Sequence, residues 1–534
     1  MSDAVSAKAE ATAVESRTEK PTMINDDGMP AEVAALMEQF SGEKYKRLMR
    51  KLDLRLIPII AVLYLLAYLD RGNIGNARLA GLEDHLNMTG DQYNIALTIF
   101  FVPYIVFEVP ANMALKYLSP RVWIPLIAIL WGITMTLMGI VSSYKGLLAA
   151  RFFLGVPEAG IFPAAAFYIT IWYTRHEAMY RTALFYATAS LAGAFSGLLA
   201  YAITLMDGVG GLAGWQWIFI IEGLLTVLGG VASIFFIYNG SDSVSWLNEE
   251  EKLYLKYKLA YDGNRAGRGL QEDGSKRTYI KDAFSDWQVY VSVIMFLGIS
   301  VSTYGLVFGL PTIISTLGYT NRAAQLMTIP PYVTACILTL GVAHFSDKYK
   351  QRSYFILGAL ALAVVGFIMA ISTSSSPHLA SVTYAGCFLA CCGFFPAFPG
   401  VISWLANNLA GPYKRAIAMS LQISQLTSQS SVPIEKQHAK FEYTALGNTG
   451  GLIGSNIYLA REKPAYRIGY GISLAFLSCA IVAAIVMNLT LSSINKKRER
   501  YVNDNGGPDG VTDKHGEVTL TEMGDRSPLF RYTL

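Results

Sequence analysis

The chain has 534 residues, of which 53% are hydrophobic and only 15% are charged, and its formal net charge is +4. A soluble protein carries about 25% charged residues, so this composition excludes an ordinary soluble protein. The small net charge excludes a nucleic-acid partner. Charge is concentrated in residues 1–55, 239–287 and 495–534, and the rest of the chain is nearly uncharged. The sequence therefore predicts a polytopic membrane protein whose main partner is the lipid bilayer.

Cysteine and histidine are placed in a way that argues against a metal or disulfide framework. The five cysteines lie inside apolar stretches, and the six histidines are scattered singly. Disulfide frameworks and metal sites need such residues in pairs at short, regular spacings. A membrane-embedded enzyme would need paired histidines or an acidic metal motif, and the sequence has neither. We therefore expect no cofactor, no metal and no enzymatic activity.

Apolar stretches long enough to cross a bilayer recur in chain order. A helix needs about 20 apolar residues to cross a hydrocarbon core of about 30 Å. The first half has six candidates, at 54–77, 93–117, 121–143, 147–173, 181–206 and 216–238. The second half has six more, at 288–317, 323–345, 353–373, 379–410, 415–460 (interrupted) and 468–492. The prediction is an all-α membrane protein with twelve transmembrane helices in two pseudo-symmetric bundles of six.

Basic residues in the short loops give the expected orientation. Lysine and arginine are enriched in loops on the cytoplasmic side of a membrane. If the chain crosses the membrane twelve times, its basic clusters all lie on one side. They are Lys44 to Arg55, Lys116 and Arg121, Arg175 and Arg181, Lys252 to Lys281, Lys348 to Arg352, Lys414 and Arg415, and Lys496 to Arg500. Arg461, Lys463 and Arg467 in the last opposite loop break the pattern. We expect a plasma-membrane protein with both termini in the cytoplasm.

The same patterns divide the chain into five regions. Residues 1–50 and 495–534 are predicted to be cytoplasmic tails without a fold, and 51–238 and 288–494 to be the two bundles. The loop 239–287 contains a basic periodic segment from Asn248 to Tyr261, which predicts an amphipathic helix on the membrane or a solvated linker helix. The glycines of the segment 193–199 recur in 447–453. This repeat favours duplicated halves, although helix packing alone explains small residues at this spacing. We expect a monomer.

Two adjacent charges interrupt the first span. The apolar run from Leu56 to Leu69 is only 14 residues long, which is too short to cross alone. The helix is therefore expected to continue through Asp70 and Arg71, which places both charges within the membrane. An ionisable residue there costs at least about 2.5–3.5 kcal/mol and usually serves a pathway. The alternative is a charged pair that marks the end of the helix.

The fourth span carries a second pair of charges. Arg151 and Glu158 are seven residues apart, which places them on one face of a helix. Because the fourth span runs opposite to the first, Arg151 is expected at the depth of Asp70 and Glu158 nearer the midplane. A guanidinium suits a carboxylate ligand, and a membrane carboxylate beside it can gain and lose a proton. The alternative is a structural ion-pair network.

Other polar residues lie singly in apolar spans. Glu108 lies near the end of the second span, two turns before Lys116, and is predicted to be mainly a structural tie. Tyr68, Tyr304 and Asn448 are candidates for the wall of a binding pocket. Each of these three has packing as an alternative explanation.

The motifs at these charges resemble those of the major facilitator superfamily. They are Tyr68-Leu-Asp70-Arg71-Gly-Asn73-Ile-Gly-Asn76, Arg151-Phe-Phe-Leu-Gly-Val-Pro-Glu158-Ala-Gly-Ile-Phe-Pro163, and the loop Ser346-Asp347-Lys348 followed by Arg352. Within the superfamily, the chain is similar to the anion:cation symporter family and its fungal allantoate and nicotinic acid permease-like branch. The resemblance extends from about Tyr45 to Asn495. The first-half counterpart of the loop, residues 115–121, lacks the usual aspartate.

The resemblance implies roles for these residues. Asp70 and Glu158 match residues implicated in proton coupling, and Arg71 and Arg151 match residues implicated in substrate binding. Asp347, Lys348 and Arg352 match a loop that gates the transport cycle. The implied function is proton-coupled uptake of a small organic anion such as nicotinate, allantoate or pantothenate, by two bundles that rock about a midplane site. The alternative is a nutrient-sensing receptor that does not transport, although such receptors typically gain large cytoplasmic domains.

One segment departs from the family pattern. The eleventh span should continue from Ser424 almost directly to Gly447, but a polar stretch, 425–446, interrupts it. A charged insert in the middle of a membrane helix would leave backbone groups unpaired in lipid. We interpret the insert as translated intron sequence; the alternative is a genuine insertion extruded into water.

Overall fold

The computed structural model describes residues 36–265, 282–410, 412–423, 449–516, 519–520 and 523–534, and the described residues are almost entirely helical. The first half contains α1 (Gly42–Leu79), α2 (Leu82–His85), α3 (Gln92–Leu118), α4 (Pro120–Met138), α5 (Tyr144–Glu158), α6 (Ile161–Trp172), α7 (Arg175–Ile203) and α8 (Gly214–Phe236). A linker helix, α9 (Glu249–Arg265), follows.

The second half contains α10 (Trp287–Thr316), α11 (Asn321–Met327), α12 (Ile329–Tyr349), α13 (Ser353–Thr373), α14 (Ala380–Asn408), α15 (Pro412–Ile423), α16 (Thr449–Gly454), α17 (Arg467–Asp504) and α18 (Gly507–His515). Single 3₁₀ turns lie at Thr204–Met206, Val209–Gly211, Ser241–Ser243, Pro377–Leu379, Ala460–Glu462 and Gly524–Arg526.

The described helices match the predicted spans. Ten helical stretches of the described residues are long and apolar enough to cross a membrane; one of them joins α5 and α6, and another joins α11 and α12. Within α3, Gln92–Glu108 is a shorter apolar stretch in the position of the second span. The eleventh predicted span is represented by α15 and α16, which flank 424–448. The insert 425–446 lies outside the described residues, as do residues 1–35 of the predicted N-terminal tail. The twelve-helix architecture is consistent with this arrangement.

Glycines set the closest helix contacts inside the first half. A Cβ atom added to Gly223 of α8 would lie 2.5 Å from the backbone nitrogen of Thr136 in α4, and one added to Gly132 would lie 2.7 Å from that of Val227. Real Cβ atoms do not approach so closely, so α4 and α8 pack at this distance only because both positions are glycine. At this contact, Trp131 of α4 and Thr226 of α8 both donate hydrogen bonds to Asp70 of α1.

The repeated glycine segments lie where the two halves meet. A Cβ atom on Gly193 or Gly197 of α7 would lie 2.6 Å from the Tyr332 ring or 2.3 Å from the Thr328 hydroxyl oxygen. A Cβ atom on Gly451 of α16 would lie 2.2 Å from the Phe101 ring in the first half. Each copy of the repeat therefore packs against the opposite half, and close packing explains its small residues.

Hydrogen bonds join the halves at the end of the molecule where α1 ends, which we call the far end. Asn94 Nδ2 donates to the Ser455 carbonyl oxygen at 2.7 Å, and Asn456 Nδ2 donates to Thr98 Oγ1 at 2.7 Å. Asn321 Nδ2 donates to the Leu79 carbonyl oxygen at 2.8 Å. The far end is therefore closed in this conformation. The opposite end, where α1 begins, is the near end.

The linker contains the predicted helix, and this helix packs on the near end of the first half. Lys51 pairs with Glu251 at 2.6 Å, and Lys258 pairs with Glu177 at 2.5 Å. Tyr45 also donates a hydrogen bond to Glu177. Burial raises the pKa of Glu177, but the hydrogen bonds from Lys258 and Tyr45 outweigh it and leave the pKa below its usual value.

The C-terminal region differs from the expected unfolded tail. The last long helix, α17, continues to Asp504, and α18 follows it. Lys414 forms buried ion pairs with Asp286 at 2.7 Å and with Asp525 at 2.6 Å. The Thr533 carbonyl oxygen accepts from Trp404 Nε1 at 2.9 Å. The composition of the tail predicted disorder. In the structure, the Asp525 carboxylate and the Thr533 carbonyl oxygen of the tail instead bind side chains of the second half. The first helix likewise begins at Gly42, inside the predicted N-terminal tail.

Candidate functional site

A cavity lies between the two halves, midway along the molecule. Its first-half wall comes from α1 and α7 and its second-half wall from α10, α12 and α14, together with Thr328. The polar and aromatic residues that line it are Tyr68, Arg71, Asn76, Ser190, Ser196, Thr303, Tyr304, Phe308, Thr328, Tyr332, Thr339, Phe395 and Phe398. Among the described residues that line the cavity, Arg71 is the one with a charged side chain.

Arg71 connects the two halves through its guanidinium. Its Nε donates to Glu158 Oε1 at 2.5 Å, in an ion pair whose side chains are 9% and 0% exposed. Its Nη1 donates to the Tyr304 hydroxyl oxygen at 3.1 Å. Glu158 Oε2 has no hydrogen-bond partner among the described residues. One guanidinium therefore holds a carboxylate of its own half and a hydroxyl of the opposite half.

Aromatic rings surround the same guanidinium. Its central carbon lies 5.1 Å from the ring centroid of Tyr68, 4.9 Å from that of Tyr104 and 5.9 Å from that of Phe100. Cations are attracted to such ring faces, most strongly where water is excluded. The rings therefore help to hold a full positive charge at the centre of an apolar molecule.

Asp70 faces away from the cavity although it is adjacent to Arg71. Its Oδ2 accepts from Trp131 Nε1 at 2.5 Å and from Thr226 Oγ1 at 3.5 Å, and it is fully buried. Successive residues of a helix are rotated by about 100° because there are 3.6 residues per turn. Asp70 consequently points between α4 and α8, while Arg71 points to the cavity.

Arg151 lies inside the first half and does not line the cavity in this conformation. It is 2% exposed, and its Nε and Nη2 have no hydrogen-bond partner within the described part of the chain. The sequence predicted Arg151 at the depth of Asp70, and the resemblance implied that it binds substrate. In the structure, Arg71 forms a direct ion pair with Glu158. Asp70 instead accepts hydrogen bonds from two neutral side chains, those of Trp131 and Thr226.

Sequence reasoning missed a further buried carboxylate, Glu222 of α8. It is 1% exposed, and its Oε2 accepts from Asn73 Nδ2 at 2.5 Å. Ser196 Oγ donates to Asn73 Oδ1 at 3.2 Å, and Asn76 Nδ2 donates to Ser196 Oγ at 2.7 Å. The signal that identifies Glu222 is the one that identified Asp70: an ionisable residue inside an apolar span, here 216–238.

The remaining predicted residues separate by location. Tyr68 and Tyr304 line the cavity, whereas Asn448 lies outside the described residues. Glu108 is 2% exposed within α3, and the side chain of its expected partner, Lys116, is not described. At the near end, Asp347 pairs with Arg352 at 2.7 Å, and Lys348 is exposed.

These residues together can hold and exchange an anion. A guanidinium binds a carboxylate through charge-assisted hydrogen bonds, in which two oxygens can be engaged at once. Glu158 accepts one hydrogen bond from Arg71, through Oε1, so an incoming carboxylate would compete with it for the charge of Arg71. Two helical bundles around a central cavity are an architecture typical of membrane transporters.

Comparison with known proteins identifies the family. The model of the Major Facilitator Superfamily matches residues 60–427, which is most of the chain. The chain therefore belongs to the Major Facilitator Superfamily and is a multi-span membrane transporter.

Individual relatives agree with this assignment. The chain is 36% identical to the "MFS-type transporter cnsO" of Penicillium expansum, over 98% of both chains. It is 31% identical to the "High-affinity nicotinic acid transporter" of Saccharomyces cerevisiae, over 96% of this chain and 88% of the relative. Its fold is similar to that of a bacterial homologue of the human lysosomal transporter Spinster in an inward-facing, occupied conformation. That likeness has a TM-score of 0.58 and 15% identity, over 81% of this chain and 95% of the other.

Proposed function

We propose that the protein takes up a small organic carboxylate together with protons across the plasma membrane. The observation that carries the proposal is the buried ion pair between Arg71 and Glu158 at the cavity wall. A substrate carboxylate that binds Arg71 competes with Glu158 for the charge of the guanidinium. Protonation removes the charge of Glu158 and weakens its hold on the guanidinium, so proton binding favours anion binding.

Charge balance supports the same coupling. Removing one partner of a buried pair leaves an uncompensated charge, at a cost of about 3–5 kcal/mol. Arg71 therefore needs a carboxylate at every stage, either Glu158 or the substrate. In this scheme Asp70 is a second proton acceptor inside the first half, and Arg151 compensates the charges of Asp70 and Glu158 from within the helices.

The conformation fits one stage of such a cycle. The far end is closed by hydrogen bonds between α3 and the two residues that follow α16, and between α1 and α11. If both termini are cytoplasmic, as the basic loops indicate, the far end faces the outside and the cavity would release its anion inward.

The residues that line the cavity also indicate the kind of substrate. The cavity offers one cation from the first half, while the second half supplies aromatic rings and hydroxyls, among them Tyr332, Phe395 and Phe398. A small, singly charged carboxylate with a flat body suits such walls. The nicotinic acid transporter of yeast, similar over most of the chain, supports this class.

Uptake in a permease-deficient host tests the proposal. Labelled nicotinate, allantoate and pantothenate would be offered to cells that express the full chain or a version without residues 425–446. We expect uptake of at least one anion to rise at acidic external pH and to collapse with a protonophore.

Glu158→Gln gives the sharper test, because an amide keeps the shape but cannot release a proton. The variant should lose accumulation against a gradient and retain exchange of internal for external anion. Glu249→Gln, which alters an exposed carboxylate of α9, serves as the control and should accumulate anion normally. Accumulation by the Glu158→Gln variant would show that the coupling assignment is wrong.

A further inference from the structure

Three carboxylates and two guanidiniums are buried in the interior of the first half. All five side chains are at most 8% exposed and lie on α1, α5 and α8: Asp70, Arg71, Arg151, Glu158 and Glu222. If every one of them were ionised, one negative charge would remain without a compensating cation. An uncompensated charge in a protein interior is strongly destabilising, so this group requires one further positive charge.

The other buried charges in the described part of the first half do not supply it. Arg78 pairs with Glu83 at 2.8 Å, and Arg181 pairs with Asp53 at 2.5 Å. Glu108 of α3 is buried as well and adds negative charge. A proton bound to one of the three central carboxylates would provide the compensation.

The hydrogen bonds indicate which carboxylates hold this proton. Glu158 Oε1 accepts from Arg71 Nε at 2.5 Å, so the charge of Glu158 is compensated directly. Within the described chain, Asp70 and Glu222 accept hydrogen bonds from neutral side chains alone. The proton therefore belongs to this second group, Asp70 with Glu222.

Asp70 and Glu222 lie in the same contact between α1 and α8. Thr226 Oγ1 donates to Asp70 Oδ2 at 3.5 Å, and Asn73 Nδ2 donates to Glu222 Oε2 at 2.5 Å. Residue numbers rise along α1 while they fall along α8, so the helices are antiparallel and these contacts are successive. Asp70 and Asn73 are three residues apart, or about 4.5 Å along the helix axis. The two carboxyl groups are thus within about one helical turn, close enough for their charges to interact.

Each of these two carboxyl groups has an unused oxygen. Asp70 Oδ1 and Glu222 Oε1 are buried and have no hydrogen-bond partner in the part of the chain that the structure describes. Two carboxylates that share an apolar site do not both ionise, because each disfavours the charge of the other. A protonated carboxyl group is a hydrogen-bond donor, so one shared proton supplies the missing donor as well as the missing charge.

Three further helices surround the pair. From α4 comes the indole of Trp131, whereas the one charged residue of that helix, Arg121, lies in its first turn. From α5 come the charges of Arg151 and Glu158, and α7 approaches through the neutral side chain of Ser196. Arg151 therefore compensates the one negative charge that the pair retains after it has bound a proton.

We propose that Asp70 and Glu222 form a carboxyl pair that binds one proton between them and so keeps the interior of the first half neutral. The resemblance connects proton coupling with Asp70 and Glu158; the geometry adds Glu222 and makes the proton of Asp70 a shared one. The inference goes beyond the proposed function, because it concerns the protein without its anion. If that function holds, the pair is the source of a second proton besides that of Glu158.

Infrared difference spectroscopy of the purified full-length protein, at pH 7 and without anion, tests the pair. A protonated carboxyl group has a C=O stretching band that is separate from the bands of an ionised carboxylate. Glu222→Gln and Asp70→Asn should each remove the area of one such group, because one carboxylate fewer leaves the remaining charges balanced. The double variant should also lose the area of one group and not of two.

The control is Glu249→Gln, which alters an exposed carboxylate paired with Lys252 and should leave the band unchanged. Both single variants are expected to give the same loss, so the test remains available if one of them does not fold. Thermal stability of the wild type should be equal in sodium and choline buffers, since the pair holds a proton and not a metal cation.

Other results would overturn the inference. A band lost in Glu222→Gln but kept in Asp70→Asn would place the proton on Glu222 alone. Loss of two groups in the double variant would show two independent protons, and no loss in any variant would show that both carboxylates are ionised. A Tm that rises with sodium would indicate a metal cation at the pair. Because no anion is present, these results hold whether or not the uptake assays support the proposed function.

Discussion

The interiors of the two halves differ although their helices correspond. The first half buries charged side chains along its whole length, including Asp70, Arg71, Arg151, Glu158 and Glu222. In the described part of the second half, the buried charges form one group at the near end, where Asp286 and Asp525 pair with Lys414. The cavity wall of the second half consists of hydroxyls and aromatic rings.

This contrast indicates that the two halves have different functions. Charge inside a membrane protein is costly. Away from the near end, the buried charges of the described residues lie in the half that we propose to couple protons to the anion. The second half shapes the cavity and supplies one hydrogen bond, from Arg71 to Tyr304. Charge changes in the first half should therefore abolish transport, and changes in the second-half wall should alter affinity.

The largest effect is expected from Arg71→Ala. The variant removes the cation of the cavity wall and leaves Glu158 buried and unpaired, so uptake should fall at least 100-fold, on the order of 3 kcal/mol. Initial rates of labelled-anion uptake, corrected for protein in the membrane, measure the loss. Arg71→Lys should restore little, because an ammonium cannot engage two carboxylate oxygens in the same plane. Robust uptake by Arg71→Ala would mean that charge in the first half does not hold the substrate.

The next largest effect is expected where the halves touch. In Gly197→Ala the new Cβ atom would lie 2.3 Å from Thr328 Oγ1, so the far end could no longer close as observed. Uptake should fall about tenfold, with more labelling of a cysteine introduced at the far end. Gly341→Ala is the matched control, because a Cβ atom there meets nothing within 4 Å. Equal uptake by the two variants would contradict the closed contact.

A smaller effect is expected from the second-half wall. Tyr304→Phe keeps the ring and removes the hydroxyl that accepts from Arg71. A hydrogen bond to a charged group contributes about 1.5–3 kcal/mol, so KM should rise roughly tenfold with little change in Vmax. Tyr384→Phe, which removes a hydroxyl donating to the Met327 carbonyl oxygen within the second half, should leave KM near normal. A large fall in Vmax for Tyr304→Phe would show that the second half also takes part in coupling.

The smallest effect is expected at the near end, in stability. Partners lower the pKa of Glu177, so its ion pair contributes stability above the usual glutamate pKa, and this contribution is lost as pH falls. Glu177→Gln should lower Tm by a few degrees at pH 7, as expected for about 1 kcal/mol. The difference from the wild type should shrink as pH falls below the usual glutamate pKa and disappear once pH is below the lowered pKa of Glu177 in the folded protein. A difference that persisted in acid would contradict the ionic origin of the effect.

Much of the fold could be predicted from the sequence, because apolar run length and basic loops constrain membrane helices strongly. The spans and the linker helix followed from these patterns. The burial of Glu158 beside Arg71 did not, because depth alone does not tell which side of a helix a residue faces. Asp70 and Arg71 are adjacent in sequence, yet they face different neighbours.

Other features depended on packing that has no local sequence signal. The docking of the tail through Asp525 and Thr533 joins residues more than 100 positions from their partners Lys414 and Trp404. Composition alone therefore suggested disorder. Glu222 carried a signal of its own, a lone carboxylate in an apolar span, but its link to Ser196 arises only when three helices meet.

The pairing of Arg71 with Glu158 has an electrical consequence. A charge that crosses the membrane potential gains or loses about 2.3 kcal/mol per 100 mV. While Arg71 and Glu158 neutralise each other, this pair adds no net charge to the empty site, so the return of the empty carrier should respond weakly to voltage. Loading with an anion and more than one proton would add positive charge, and the voltage dependence of the cycle would then reside in its loaded step.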